Sequence, residues 1–321
     1  MLSQSLLAGL RRQDPGSRID ILAPGWVLPI FRRMPEVNET LEGPFSHGEL
    51  ALGKRWRIAR SLRANRYDCA YVLPNSFKSA LVPLFAGIPE RIGYTGEVRH
   101  WVLTDARRLD EQALPLMVER FASLAGPANT TLARPVPRPK LRVAEAERAQ
   151  LRQRLALAPD GGVACFCPGA EYGPAKRWPA RYFGELAQKL GAEGYAVWLM
   201  GSSKERDIGD AISGVCPTAV NLCGRTTLDE AVVLLSCADL VVSNDSGLMH
   251  VAAALDRPTI ALYGSSSPTF TPPLSDLAHV VKHEVPCSPC YQRVCPLKHF
   301  DCMMKLTPSR VLDEVHRHFQ T

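Results

Sequence analysis

The sequence has no apolar stretch that approaches the roughly 18 residues of a membrane-spanning helix. Residues 1–7 lack the positive start and the long apolar core of a signal peptide, so we expect a cytoplasmic protein. No Gly-x-Gly-x-x-Gly motif follows a strand-like segment, which argues against a nicotinamide dehydrogenase. No Asp-x-Asp pair ends such a segment either, which argues against a divalent cation that carries a diphosphate. We therefore expect no cofactor.

The composition is that of an ordinary globular protein, with 321 residues, 46% hydrophobic and 22% charged. This length suits two domains. A net charge of +6 is too small to indicate a nucleic-acid partner, and none is expected, but it is compatible with an acidic substrate or an anionic membrane surface.

Short β-branched runs alternate with helical patterns along the whole chain, which predicts an α/β fold. A Pro-rich segment without apolar periodicity, 127–139, predicts a linker between an N-terminal domain, 1–126, and a C-terminal domain, 140–321. The predicted helices are 3–12, 26–33, 49–66, 79–86, 111–124, 145–157, 179–190, 228–236, 248–255 and 308–319. The predicted strands are 18–23, 37–41, 68–73, 163–167, 195–201, 219–223, 240–243, 259–263 and 279–282.

The most informative stretch, 238–264, reads as strand, tight turn, short helix and strand. Its turn is Asn244-Asp245-Ser246-Gly247. Ser246 or Asp245 is expected to cap the helix, and Gly247 allows a ligand to approach N–H donors at the helix start. His250, three residues after Gly247, is expected to face the same ligand-binding end of the helix. The alternative is a capped turn of the kind that any α/β protein needs.

A second polar loop, within 166–179, also follows a strand and precedes a helix, and it carries Lys176 and Arg177. Two polar loops at the carboxyl edge of one sheet form a binding crevice, which favours the functional interpretation. A small-residue loop at 264–269 follows another strand and is either a third phosphate-binding loop or a plain connection.

Two features of the N-terminal half bear on an acidic partner. Ser76 and Lys78 stand between a strand and a helix, and Lys78 either faces an acidic group of a ligand or is an ordinary surface lysine. The helix 49–66 interleaves basic and apolar residues, which predicts either a solvated face or contact with phosphate groups or an anionic leaflet. Its basic residues are Lys54, Arg55, Arg57, Arg60, Arg63 and Arg66.

Four of the ten cysteines form a C-x₂-C-x₄-C-x₆-C cluster: Cys287, Cys290, Cys295 and Cys302. Four thiolates within sixteen residues suit a tetrahedral structural zinc ion, although only one half has the usual knuckle spacing. A local disulfide and reduced thiols are the alternatives, and no catalytic metal is expected.

The motifs Lys176-Arg-Trp-Pro179 and Ser243-Asn-Asp-Ser-Gly-Leu-Met-His250 resemble those of the lipopolysaccharide heptosyltransferases, glycosyltransferase family 9. Residues 75–81, 85–94 and the cysteine cluster are similar to the heptosyltransferase II branch, so the resemblance covers essentially the whole chain. It implies a GT-B fold of two Rossmann-like domains facing a central cleft. The last helix of such a protein can pack back on the N-terminal domain.

The resemblance also implies transfer of L-glycero-D-manno-heptose from ADP-heptose to the first heptose of the lipopolysaccharide inner core, with inversion. Lys176 and the Ser246 and Gly247 amides would stabilise the leaving ADP, with Arg177 beside them. Asp245 would bind the heptose, and His250 would support the phosphates or the Asp245 loop. The expected partners are ADP-heptose, the core and lipid A acceptor, and the inner face of the inner membrane, contacted peripherally.

One part of the family pattern is missing: a first strand and a Gly-Asp turn whose aspartate is the implied general base. Either the start is placed too late or the protein lacks a central strand and its base, and a missing general base costs about 10²–10⁴-fold in rate. A catalytically impaired protein that binds sugar nucleotides or glycolipids is therefore one alternative. A related heptosyltransferase with a different core acceptor is another.

Overall fold

The computed structural model describes residues 1–45, 48–157 and 161–319. The chain divides into two compact units, Leu2–Pro137 and Arg138–Thr321, the second of which also includes Met1. The boundary lies inside the Pro-rich segment that was predicted as the linker.

The N-terminal unit alternates helices and short strands. In chain order its elements are α1 (Gln4–Gln13), β1 (Asp20–Ala23), α2 (Leu28–Arg32), β2 (Glu39–Glu42), α3 (Leu52–Leu62), β3 (Cys69–Tyr71), α4 (Phe77–Ala86), β4 (Glu90–Tyr94), β5 (Asp105–Arg107) and α5 (Met117–Ala122).

The strands of this unit form two parallel sheets, β1-β2 and β3-β4-β5. Among the described residues β1 and β3 do not pair with each other, so each has an unpaired edge. Leu6 of α1 packs with Ile92 and Tyr94 of β4, while α3 packs on α4 through Ala59 and Val82.

The C-terminal unit is larger and more regular. Its elements are α6 (Glu145–Arg154), β6 (Val163–Cys167), α7 (Ala180–Ala192), β7 (Ala196–Leu199), α8 (Arg206–Val215), β8 (Val220–Asn221), α9 (Leu228–Ser236), β9 (Leu240–Asn244), α10 (Gly247–Ala254), β10 (Thr259–Tyr263), β11 (Ala278–Lys282), α11 (Asp301–Met304) and α12 (Pro308–Phe319).

These strands form one parallel sheet in the order β11-β10-β9-β6-β7-β8. The chain leaves β6 toward β7 and β8, then returns to the other side of β6 for β9, β10 and β11. The strands β6, β9 and β10 are buried along their whole length, as the apolar runs predicted. The α/β prediction is confirmed.

One predicted helix is shorter than expected, and one long helix was missed. The helix predicted at 111–124 is only Met117–Ala122, because Asp110 accepts the Gln112 and Ala113 N–H groups in a turn and Pro115 follows. The helix α8 was not predicted. Its sequence signal was the Ser202–Glu205 capping box, in which Glu205 accepts the Ser202 N–H.

The closing helix α12 packs on α7, β10 and β11 within the C-terminal unit. Its predicted contact with the N-terminal unit stays a prediction. No helix in the described part of the chain is both long enough and apolar enough to cross a membrane.

Candidate functional site

The candidate site lies at the topological switch point of the C-terminal sheet. Cys167 at the end of β6 pairs with Ser243 near the end of β9, so the loops after these two strands begin side by side. In parallel sheets the crevice at such a switch point is the usual ligand site. The two polar loops identified in the sequence are the loops found there.

Asp245 and Lys176 meet at this point. Lys176 Nζ lies 2.5 Å from Asp245 Oδ2, and the two side chains are 18% and 7% exposed. Ser266 Oγ, from the loop after β10, donates to the same carboxylate oxygen at 2.6 Å. Three neighbouring strands thus supply an ammonium group, a carboxylate and a hydroxyl to one point.

The start of α10 presents backbone rather than side-chain groups. Ser246 is the N-cap residue but makes no side-chain capping hydrogen bond; its hydroxyl lies 3.3 Å from Ser243 Oγ. The prediction that Ser246 or Asp245 caps this helix was therefore wrong, since the Asp245 carboxylate pairs with Lys176 instead. A Cβ on Gly247 would meet no atom within 4 Å, so open space adjoins the helix start. The first-turn N–H groups and the helix dipole suit an anion there.

His250 lies one turn into α10 and is partly buried. Burial lowers its pKa to about 4, although the nearby Asp245 carboxylate opposes that shift. The imidazole is therefore neutral at physiological pH and acts as a hydrogen-bonding group rather than a cation. Tyr263, buried in β10 beside the site, has its pKa raised by burial and by Asp245.

Arg177 follows Lys176 and points one guanidinium nitrogen at the Ala170 carbonyl, at 3.3 Å. Its Nε is buried without a hydrogen-bond partner. An unsatisfied buried N–H costs free energy.

The predicted acceptor residues lie in the other unit. Ser76 is the N-cap residue of α4 and Lys78 is in its first turn, where Glu97 accepts the Phe77 N–H at 2.6 Å. The preceding loop is fixed by Arg99, whose buried guanidinium donates to Asn75 Oδ1 at 2.9 Å. The structure of each unit by itself does not bring Ser76 or Lys78 to Asp245, so their role stays a prediction.

The four clustered cysteines line one small cavity of about 20 Å³, together with Ser265 and His299. All ten cysteines lie within the described ranges and are free thiols. The backbone N–H of Phe300 lowers the pKa of Cys295, whereas burial raises that of Cys302. Within the described ranges no three His, Cys, Asp or Glu side chains are arranged to hold a metal ion. The structural zinc ion thus gains no geometric support and stays a prediction.

Sequence reasoning missed two polar residues at this sheet edge. The loop containing Ser266 was considered, but its contact with Asp245 depends on the neighbouring strand and left no local signal. Glu205, in the loop after β7, is 6% exposed and lies close to Gly169 of the loop after β6. Its place in a capping box was the signal that could have drawn attention to it.

Comparisons with known proteins identify the family of the chain. Residues 55–301 match the family model of glycosyltransferase family 9 (heptosyltransferase). The chain is 47% identical to the lipopolysaccharide heptosyltransferase 2 of Escherichia coli strain K12 over 326 residues, covering 98% of this chain and 94% of that protein. The corresponding enzyme of Salmonella typhimurium strain LT2 is 46% identical with the same coverage.

Solved structures give the same result. The structure of E. coli ADP-heptose lipopolysaccharide heptosyltransferase II matches with a TM-score of 0.90 and 44% identity, covering 99% of this chain and 94% of that one. An E. coli heptosyltransferase with bound ADP matches with a TM-score of 0.71 at 20% identity, which supports the fold. The two α/β units together with these matches show a glycosyltransferase of the GT-B class. Within that class, the chain belongs to glycosyltransferase family 9, the heptosyltransferases.

Proposed function

We propose that this chain moves L-glycero-D-manno-heptose from ADP-heptose to the first heptose of the lipopolysaccharide inner core, with inversion at the anomeric carbon. The observation that carries the proposal is the buried Lys176–Asp245 pair beside the uncapped start of α10. The high identity to two proteins named lipopolysaccharide heptosyltransferase 2 supports the choice of sugar and of core position.

The leaving group of this reaction is ADP, so negative charge grows on the diphosphate as the glycosidic bond breaks. Lys176, the dipoles of the Ser246 and Gly247 amides and the Arg177 guanidinium would stabilise that charge. In support, no side chain caps the start of α10, and Arg177 Nε has no hydrogen-bond partner. Losing one such preorganised contact commonly costs about 10²–10³-fold in kcat.

Asp245 binds the heptose hydroxyls and orients the anomeric carbon. When the donor binds, Lys176 moves from Asp245 to the diphosphate, and the sugar takes its place on the carboxylate. Ser266 remains hydrogen-bonded to Asp245. The neutral His250 supports the phosphates or the Asp245 loop through hydrogen bonds. In the N-terminal unit, Ser76 and Lys78 contact the acceptor, and Lys78 faces one of its acidic sugars.

The test is a transfer assay followed by mass spectrometry, with ADP-heptose and a core acceptor that carries one heptose. Addition of one heptose is expected, with none added to an acceptor that lacks the first heptose. Addition only to the latter would show that a different core position is used. Binding of ADP-heptose without any transfer would instead support a catalytically impaired binding protein.

The acceptor is a glycolipid, so we also propose that the N-terminal unit contacts the inner face of the inner membrane through α3. This helix has no acidic residue, and Lys54, Trp56, Arg57 and Arg60 are all exposed along it. The Arg60 guanidinium lies 5.5 Å from the Trp56 ring centroid. An exposed tryptophan among basic residues suits the interface of an anionic bilayer.

One basic residue of the predicted face does not contribute to this surface. Arg55 is buried at 4% exposure, stacks on Phe45 and donates to the Leu50 carbonyl at 2.6 Å. Arg63 is exposed and donates to the Phe85 carbonyl at 2.8 Å. The membrane proposal therefore rests on the narrower set of exposed residues.

Co-sedimentation with vesicles of neutral lipid, with and without anionic lipid, tests the membrane contact. Binding is expected only to the anionic vesicles and is expected to weaken with salt. The double variant Trp56→Ala, Arg57→Ala should lose binding. The matched pair Tyr291→Ala, Arg293→Ala, an exposed aromatic residue and an arginine of the C-terminal unit, should not. Equal loss in both pairs would contradict a role for α3.

A further inference from the structure

One buried amide joins the two ends of the loop that carries Lys176. The side chain of Asn244, the last residue of β9, is fully buried. Its Oδ1 accepts the Trp178 backbone N–H at 3.0 Å, and its Nδ2 donates to the Pro168 carbonyl at 2.7 Å. Pro168 and Trp178 bound the loop after β6, so this amide closes the loop at its base.

The position of Lys176 depends on that closure. Lys176 ends a short 3₁₀ turn and lies two residues before Trp178. The Trp178 indole is itself fixed, since Nε1 donates to the Leu306 carbonyl at 2.7 Å. Farther along the loop, the Ala175 N–H donates to the Arg293 carbonyl at 3.1 Å. Asn244 thus ties the loop to β9, the strand that also carries Asp245 at the next position.

Only an amide satisfies both partners. The Trp178 N–H can only donate and the Pro168 carbonyl can only accept, so the orientation of the Asn244 amide is fixed by its partners. An aspartate would place a second oxygen against the carbonyl. An alanine would leave a buried N–H and a buried carbonyl unpaired.

We infer that Asn244 is a positioning residue, which holds the loop that carries Lys176 in place so that the ammonium group can pass from Asp245 to the diphosphate of the sugar donor. This inference rests on the proposed function, because the role of Lys176 does. Asn244 itself acts through the loop and through Lys176 rather than by touching the substrate. Nothing in its local sequence distinguishes it from a turn residue.

The experiment is a double-mutant cycle on the full chain, with Asn244→Ala, Lys176→Ala and their combination, read as kcat and donor KM. Alone, Asn244→Ala is expected to lower kcat about 10- to 100-fold, since a misplacement of about 1 Å can cost that much. In the Lys176→Ala background the same change should cost less than about 3-fold, because the group that it positions is gone. Multiplicative losses would overturn the inference.

Asn221 provides a matched control for stability. It ends β8, its Oδ1 accepts the Cys223 N–H at 3.0 Å, and its Nδ2 donates to the Arg206 carbonyl at 3.2 Å. Asn221→Ala removes a similar two-sided link away from the Lys176 loop and should leave kcat within about 3-fold. An equal loss of kcat in Asn221→Ala would show a general stability effect and overturn the inference.

A second variant and a second measurement keep the experiment decisive. If Asn244→Ala does not fold, Asn244→Ser replaces it, since a hydroxyl still bonds one of the two partners. A wild-type chain that binds ADP but transfers no heptose would contradict the proposed function alone. The same cycle is then read as ADP affinity, where non-additive losses support the role of Asn244 and additive losses refute it.

Discussion

The buried histidine of α10 predicts a specific loss of stability in acid. Burial lowers the pKa of His250 from 6.5 to about 4. Between these two pH values His250 is protonated in the unfolded chain but neutral in the folded chain, so falling pH favours unfolding. The free energy of unfolding is unaffected by this residue above pH 6.5 and decreases as pH falls toward 4. With these two pKa values, folding loses about 2 kcal/mol at pH 5 and about 3 kcal/mol below pH 4.

The assay compares wild type with His250→Gln, which cannot take up that proton. Urea unfolding can be followed by the fluorescence of Trp178 and Trp198, both buried in the same unit as His250. Between pH 7.5 and pH 5 the wild type should lose about 2 kcal/mol more than the variant, because other titrating groups cancel in the difference. His100→Gln, at an exposed histidine, should follow the wild type. Parallel pH curves for wild type and His250→Gln would refute the reasoning.

Three further substitutions test the site. Lys176→Ala should lower kcat about 10²–10³-fold in steady-state assays, whereas Lys189→Ala, exposed on α7, should not change it; equal effects would contradict the assignment. Gly247→Ala adds a Cβ into open space, so thermal stability should hold while calorimetry shows weaker ADP binding; unchanged affinity would place the anion elsewhere. Trp178→Phe leaves the buried Leu306 carbonyl unpaired and should cost about 1–3 kcal/mol in thermal denaturation, and an unchanged melting temperature would contradict that.

Much of the C-terminal unit could be predicted because the sequence patterns that specify it are local. Buried parallel strands read as short apolar runs, and the loops after β6 and β9 are the polar interruptions between them. Since the carboxyl ends of parallel strands share one edge, placing Lys176 near Asp245 needed no long-range information beyond the fold class. Their contact at 2.5 Å agrees with that placement.

The rest depends on contacts that no local pattern encodes. Ser246 and Asp245 were both predicted as caps of α10, but the Ser246 hydroxyl lies beside the Ser243 hydroxyl and the Asp245 carboxylate pairs with Lys176. The link from Ser266 to Asp245 and the links made by Asn244 join residues on different strands or loops. The sequence analysis placed Arg55 on a basic surface because charge alone does not show that its guanidinium turns inward over Phe45.

The Lys176–Asp245 pair implies a competition that can be measured. In this structure Asp245 holds the ammonium group that ADP is proposed to need, so part of the ADP binding energy goes into separating the pair. Asp245→Asn removes the charge that retains Lys176, and ADP should bind with equal or greater affinity in calorimetry. The same variant should lower kcat about 100-fold, since the carboxylate that orients the heptose is gone.

A control at the amino ends of the strands, away from the site, separates this effect from a general loss of charge. Asp239 stands just before β9 and accepts the Val163 N–H at 2.8 Å, so Asp239→Asn alters charge at the amino ends of the strands. It should leave both ADP affinity and kcat near the wild-type values. If Asp245→Asn weakened ADP binding and left kcat at saturating donor unchanged, Asp245 would serve the nucleotide alone. The sugar would then have to be oriented by another residue, and Ser266, the fixed neighbour of Asp245, would be the first to replace.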